Sequence, residues 1–274
     1  SERQIYRVDH YLGKDIIGSI ALLRFTNRIF EPLWNRHHVD WVQIDLSESI
    51  GIAHRGVYYD RYGALKDVVQ NHMLQILALI AMESPKLLSG DHVREQKARV
   101  LQQVRVADGL LGQYRGYHSE IGVAQDSKTE TFALLKLAIE NERWRGVPFY
   151  LKTGKCLNKR QTRVIIQFKT VDCLLAQRCP SAADFLTIQI QPEPKFGLSV
   201  NVKKPGLLNN VEPVVMDFCY EHHFNTSFLT TGYEAVLEEV VRGEQSISVR
   251  FDEIEYAWSI VDQIKALGLP LYRS

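Results

Sequence analysis

Arg163-Val164-Ile165-Ile166-Gln167-Phe168 and its companion Phe185-Leu186-Thr187-Ile188-Gln189-Ile190-Gln191 decide the fold. These segments alternate or are rich in β-branched residues, the signature of a half-buried strand. Two more runs of this kind lie at 197–202 and 214–220. Pro192, Pro194, Pro205, Gly206 and the Asn209-Asn210 pair punctuate them, so the spacing predicts successive antiparallel strands. Toward the N-terminus the period changes. From Lys14 onward, Ile16, Ile20, Leu23 and Phe30 recur at helical spacing and predict a helix that ends near Pro32. Trp41-Val42-Gln43-Ile44-Asp45-Leu46 alternates and predicts a short strand. Leu65, Val68, Ile76, Leu79 and Ile80 form the stripe of a longer helix over 63–82, closed by Ser84-Pro85. Asp91 is placed to cap a third helix over 92–104. Past the strands, 232–241 and 252–266 return to helix. The first half therefore reads as mostly helical, and helices, then strands, then helices imply an α+β fold. Its expected form is one large, mostly antiparallel sheet with helices packed on one face. No internal repeat marks the chain, and 116–127 is the stretch expected to be most mobile.

Composition excludes several functions. Lys and Arg number 33 against 32 Asp and Glu, a formal charge of +1, so no bulk basic field invites nucleic acid. No apolar run reaches the roughly 18 residues of a membrane-crossing helix, and the polar start has no signal-peptide core. Neither membrane nor nucleic acid is expected as a partner. Cys156, Cys173, Cys179 and Cys219 form no CxxC pair and read as reduced thiols of a cytoplasmic protein. Neither GxGxxG nor GxxxxGK[ST] occurs. If a nucleotide cofactor is used, its usual binding module is not in these 274 residues.

Three segments offer chemistry. Arg7-Val8-Asp9-His10-Tyr11-Leu12-Gly13-Lys14 gathers a carboxylate, an imidazole, a phenol and an ammonium just before a helix. Such a group fits a phosphate site at a helix N-terminus, and equally a capped loop with a surface lysine. Asp67-Val68-Val69-Gln70-Asn71-His72 sets His72 on the apolar stripe of the long helix. There it is either a core histidine or a general base oriented by a carboxylate. Val147 to Lys155, with Lys159 and Arg160 behind, reads as an edge strand ending in a basic turn. That turn is either a solvated loop or the second arm of an anion pocket. Glu48 falls in a polar loop, and Trp34 and Trp41 read as core. His37-His38 and His222-His223 are adjacent pairs whose members cannot share a face, so no metal site is expected.

Together these motifs resemble one family. DHYLGK (9–14), LRFTNRIFEPLWN (23–35), DVVQNHMLQ (67–75), ENERWRGVPFYLKTGK (140–155), NVKKPG (201–206) and RFDEIEYAW (250–258) follow one another as in glucose-6-phosphate dehydrogenases. The resemblance implies that His72 is the general base for the sugar's C1 hydroxyl and that Asp9 pairs with it. It implies that His10, Tyr11 and Lys14 surround the sugar phosphate, that Glu48 and Asp67 bind sugar hydroxyls, and that Lys155 and Arg160 add positive charge to the substrate pocket. The implied reaction carries hydride from C1 of β-D-glucose 6-phosphate to NADP and yields the 6-phosphoglucono-lactone, in the oxidative pentose phosphate pathway. The implied assembly is a homodimer, or a dimer of dimers, built on the sheet.

The family places a dinucleotide-binding domain ahead of DHYLGK. The whole of 1–274 is therefore expected to be the C-terminal catalytic and dimerisation domain, with NADP held mainly by the preceding domain and the isolated chain inactive. Other departures are smaller. Lys14 is followed by Asp15 where Glu is usual, and the stretch 116–131 is short for the family. The positions matching a second, structural NADP site, Lys152, Gln161, Ile165 and Gln189, carry one positive charge among four, so that site is not expected. Tyr233-Glu234-Ala235 stands where the family has Tyr-Glu-Arg, with no functional account. The alternative is a non-catalytic sugar-phosphate-binding or assembly paralogue. The presence of both Asp9 and His72 argues against it, since a pure binder needs no base.

Overall fold

The computed structural model describes residues 2–171, 182–207, 210–224 and 231–273. Among these, nine strands form one sheet: β1 (Val39–Ser47), β2 (Val104–Gln113), β3 (Phe132–Ile139), β4 (Phe149–Gly154), β5 (Gln161–Phe168), β6 (Phe185–Gln191), β7 (Lys195–Lys203), β8 (Val211–Cys219) and β9 (Leu271–Arg273). They lie in the order β8-β7-β6-β5-β1-β4-β3-β2-β9. All pairings are antiparallel except β1 with β4 and β2 with β9. Alternation explains the buried face: Val42, Ile44 and Leu46 of β1, Val164 and Ile166 of β5, and Leu186, Ile188 and Ile190 of β6 all point into the core. The α+β reading holds.

The helices are α1 (Asp15–Thr26), α2 (Gly56–Ala64), a π-helical segment (Leu65–Met73), α3 (Leu74–Ala81), α4 (Gly90–Gln103), the short α5 (Tyr220–His223), α6 (Gly232–Arg242) and α7 (Phe251–Ala266). α1 packs on β6, the π segment on β4 and α7 on β2. Every residue of α3 is buried. A buried helix end must find donors for its last carbonyls. Here Arg24 Nη1 donates to the Ile80 and Met82 oxygens at 3.1 and 2.5 Å, Trp34 Nε1 to Ile80 at 2.9 Å, and Trp144 Nε1 to Ala81 at 2.8 Å. Glu31 neutralises the Arg24 guanidinium at 2.5 Å and also meets Arg143 at 2.9 Å. Motifs that are distant in sequence thus meet at one helix end. No helix among the described residues is long and apolar enough to cross a membrane.

Several expectations need correction. The first half is not mostly helical: β2 and β3 were missed. A bulge between Val106 and Asp108 breaks the alternation of β2, and Phe-Ala-Leu-Leu-Lys-Leu-Ala-Ile of β3 has one β-branched residue. β4 is no edge strand; it lies inside the sheet between β1 and β3. The long helix starts earlier, at Gly56, breaks at Gly63 (φ 65°, ψ 179°) and changes pitch at Leu65. Asp91 does not cap α4. It lies in the first turn and pairs with Arg94 at 2.5 Å, and Ser89 precedes the helix. The stretch 116–127 is anchored: Asp60 accepts from Tyr117 Oη at 2.8 Å, from Ala124 N at 3.1 Å and from Ser127 Oγ at 2.5 Å. Trp34 is buried and Trp41 half-buried. Cys156 is exposed and Cys219 buried, both as free thiols. Cys173, Cys179 and Asn209 lie outside the described residues.

Arg24→Met removes two carbonyl donors and leaves Glu31 without this partner. It should cost about 3–5 kcal/mol, read as a lower urea midpoint at unchanged slope. Glu142→Ala breaks only an exposed pair with Arg36 and should cost under about 1 kcal/mol.

Candidate active site

The segment 7–14 is held in place before its side chains act. Arg7 N donates to Ser248 Oγ at 3.0 Å, Val249 N donates to Arg7 O at 3.0 Å, and Val8 bridges Ser248. The chain then turns tightly. Tyr11 N donates to Asp9 Oδ1 at 2.9 Å, and Leu12 N to Asp9 O at 3.1 Å. Gly13 lies against the backbone of Gly232 at the start of α6, and a Cβ there would collide with the Gly232 carbonyl. Only glycine lets these backbones come so close.

His72 is delivered by the π segment, whose wider i→i+5 turn is a common device at functional sites. Its Nδ1 lies 2.6 Å from Asp9 Oδ1, with the side chains 16% and 3% exposed. An ionised carboxylate only accepts, so the imidazole proton sits on Nδ1 and the lone pair on Nε2 is left to act as a base. Asp9 Oδ2 is buried with no hydrogen-bond partner among the described residues. Oδ1 meets both His72 Nδ1 and Tyr11 N, which fixes the carboxylate plane and with it the orientation of the imidazole.

Aromatic rings close around the pair. The ring centroids of Tyr11 and His72 are 4.5 Å apart, and those of His10 and His72 are 4.7 Å apart in an edge-on contact. Burial, then the His72 charge, push the His10 pKa down, which favours its neutral form. Lys14 Nζ sits 4.9 Å over the Tyr11 ring. Burial, then the Arg160 guanidinium, push the Lys14 pKa down as well. Burial raises the Tyr11 hydroxyl, which lies 3.5 Å from Thr162 Oγ1, and Arg160 opposes that shift. The half-buried Lys14 and the exposed Arg160, close enough to act on it, make an environment suited to a phosphate dianion.

A second cluster forms where β1 and β4 run parallel. Their register pairs Ser47 with Gly154, so the next residues, Glu48 and Lys155, sit side by side. The Lys155 ammonium contacts the Glu48 carboxylate and lies 5.5 Å over the Tyr59 ring. Burial pushes Lys155 down to about 8, and the carboxylate in contact with it favours the charged form. Asp67 pairs with Arg55 at 3.8 Å, and the Arg55 guanidinium lies 6.0 Å over Tyr59. The fully buried Tyr59 thus links the Glu48–Lys155 and Asp67–Arg55 pairs.

Asp9, His10, Tyr11, Lys14, His72 and Arg160 therefore share one cluster, while Glu48, Lys155 and Asp67 gather around Tyr59. Sequence reasoning missed Tyr59, Arg55 and Thr162, because an aromatic, a loop cation and a strand threonine carry no signal without the fold. Asp9, His10 and His72 also form the one group among the described residues whose metal-binding atoms approach within 4.8 Å of one another. Their mutual hydrogen bond and ring contacts fit acid–base chemistry.

Residues 21–269 match the family described as glucose-6-phosphate dehydrogenase, C-terminal domain. The chain is 42% identical over 262 residues to the cytoplasmic glucose-6-phosphate 1-dehydrogenase 6 of Arabidopsis thaliana, covering 94% of this chain and 51% of that protein. It is 41% identical over 292 residues to the glucose-6-phosphate 1-dehydrogenase of Aggregatibacter actinomycetemcomitans, covering 99% and 58%. A solved glucose-6-phosphate dehydrogenase in complex with its substrate glucose-6-phosphate superposes with a TM-score of 0.92 at 33% identity, covering all of this chain and 60% of that one. The chain spans about half the length of the curated relatives it matches.

The tautomer is open to direct measurement. Long-range ¹H–¹⁵N spectra of the imidazole should place the His72 proton on Nδ1 at neutral pH. Asp9→Asn should weaken that preference, because the amide can donate to Nδ1 as well as accept from it.

Proposed function

The chain belongs to the glucose-6-phosphate dehydrogenase family, and from that premise we propose that it is the substrate-binding half of such an enzyme. In this reading it binds β-D-glucose 6-phosphate and takes the C1 hydroxyl proton as the sugar is oxidised to 6-phospho-D-glucono-1,5-lactone. The observation that carries the reading is the Asp9–His72 pair at 2.6 Å beside the cations Lys14 and Arg160.

The residues would act as follows. Lys14 and Arg160, with His10 and Tyr11, bind the phosphate at the far end of the sugar and so fix the reacting carbon. Glu48 and Asp67 accept hydrogen bonds from sugar hydroxyls, with Lys155 and Arg55 holding those carboxylates in place. His72 Nε2 accepts the C1 hydroxyl proton. The buried Asp9 carboxylate stabilises the imidazolium that results.

NADP is the cofactor the family implies. The described residues do not fit it: they offer no glycine-rich loop leading from a parallel strand into a helix. NADP, when bound, supplies the hydride acceptor, and in this reading a domain outside these residues holds it. Residues 1–274 then serve as the C-terminal catalytic and dimerisation domain, with a place in the cytoplasm that accords with free thiols and cytoplasmic relatives. The exposed apolar side chains Val214, Val215 and Met216 on β8 support a homodimer built on the sheet. Nothing favours a non-catalytic paralogue.

Calorimetric titration should detect glucose 6-phosphate binding to this chain, and neither glucose nor Lys14→Ala should reproduce it. Equal affinity for glucose would remove the phosphate from the argument. Joined to the dinucleotide-binding domain of a relative, the chain should turn over glucose 6-phosphate with NADP. His72→Ala should then lower kcat by about 10²–10⁴-fold or more, and retained turnover would exclude His72 as the base. Light scattering at tens of micromolar should give a dimer mass.

A further inference from the structure

Tyr233 opens α6, and 65% of its surface is exposed. The mechanism above leaves it idle. Its ring nevertheless stacks on His10, with centroids 5.6 Å apart and planes 12° from parallel. His10 meets His72 edge-on and Tyr11 at 5.0 Å. The imidazole is therefore clamped between α6 and the π segment.

This contact is built from both sides. A capping box fixes the first turn of α6: Thr231 N donates to Glu234 Oε2 at 2.7 Å, and Glu234 N donates to Thr231 Oγ1 at 3.3 Å. Gly232, just before Tyr233, rests on the His10 carbonyl so closely that any Cβ would overlap it. Farther along α6, the buried Glu239 carboxylate accepts from Ile247 N at 2.7 Å and from Ser246 Oγ. The next residue, Ser248, holds Arg7 and Val8. Tyr233 and the segment that carries His10 are thus fixed to one frame at two points.

We infer that Tyr233 is a positioning residue for the sugar phosphate, acting through His10 by fixing the plane of its ring. The inference rests on the proposed function, in which His10 faces that phosphate. The groups facing His10 are Asp9, Tyr11 and Lys14 from its own segment, His72 from the π segment and Tyr233 from α6. Burial keeps the imidazole toward its neutral form, so it serves the phosphate by a directional N–H bond more than by charge. Such a bond weakens steeply once the donor angle is lost, and a ring free to turn would lose it. Ring orientation, set by the stack, therefore decides how much His10 contributes.

The test compares Tyr233→Ala and Tyr233→Phe in the chain joined to a relative's dinucleotide-binding domain, with NMR of the chain alone. An aromatic pair of this kind is worth about a 3- to 10-fold change. KM for glucose 6-phosphate should rise by that factor in Tyr233→Ala, more than kcat falls, and Tyr233→Phe should stay within about twofold of the wild type. The ring protons of His10 should lose their upfield ring-current shift in the Ala variant and keep it in the Phe variant. The shift shows that the stack exists in solution, and KM decides its role: a purely structural role would lower stability and leave KM unmoved. If the wild type turns over and Tyr233→Ala matches it in KM, the inference is wrong and the proposed function stands. If the wild type shows neither binding nor turnover, the proposed function fails and this inference with it.

Discussion

The site depends on a closure between the two ends of the described chain. Arg7 and Ser248, joined by a hydrogen bond, are 241 residues apart. That bond, the Val8 bridge and the Val249–Arg7 bond set the path of the chain into Asp9. From there the carboxylate must arrive 2.6 Å from an imidazole carried on another element. Asp9 is almost fully buried with one oxygen unpaired. An error of an ångström in the closure would leave the buried carboxylate without its imidazole partner, and breaking a buried pair costs several kcal/mol. The fold thus imposes the dyad geometry, and the side chains alone could not maintain it.

The other anchor is the buried end of α3. Arg24, Trp34 and Trp144 saturate its last carbonyls from three separate segments. This fixes α3 along its length and, through it, the π segment that runs directly into it. His72 is therefore presented from a helix with little freedom to shift. Preorganisation of this kind makes a base effective, because no free energy is spent on orientation during the reaction.

The sequence made much of this legible, for identifiable reasons. Asp9, His10, Tyr11 and Lys14 lie within six residues, so their grouping needs no tertiary structure. The strands β5 to β8 alternate or are rich in β-branched residues and are punctuated by Pro and Gly, so their presence is readable. Glu48 and Lys155 were less transparent. They meet because β1 and β4 run parallel, and no local pattern announces a pairing between strands so far apart. The interior place of β4 was hidden likewise: its basic end resembles an edge, while the sheet continues past it through β3 and β2. The π segment escaped because its apolar residues fit an α-helical stripe almost as well. Tyr59 has the composition of an ordinary core aromatic, and only the contacts around it separate it from one.

The position of β1 also sets a schedule for synthesis. This strand lies at the centre of the sheet, with Val42, Ile44 and Leu46 meant for the core. Its partners β4 and β5 are made about a hundred residues later. At roughly 5–20 residues per second, the nascent chain holds an unpaired apolar strand for about 5–20 s. During that interval both edges of β1 are open templates for pairing with another chain. A protein with this strand order needs shielding on the ribosome, by a chaperone or by the helices made in between, and its yield in a cell will depend on translation speed between β1 and β5 as well as on the stability of the finished fold.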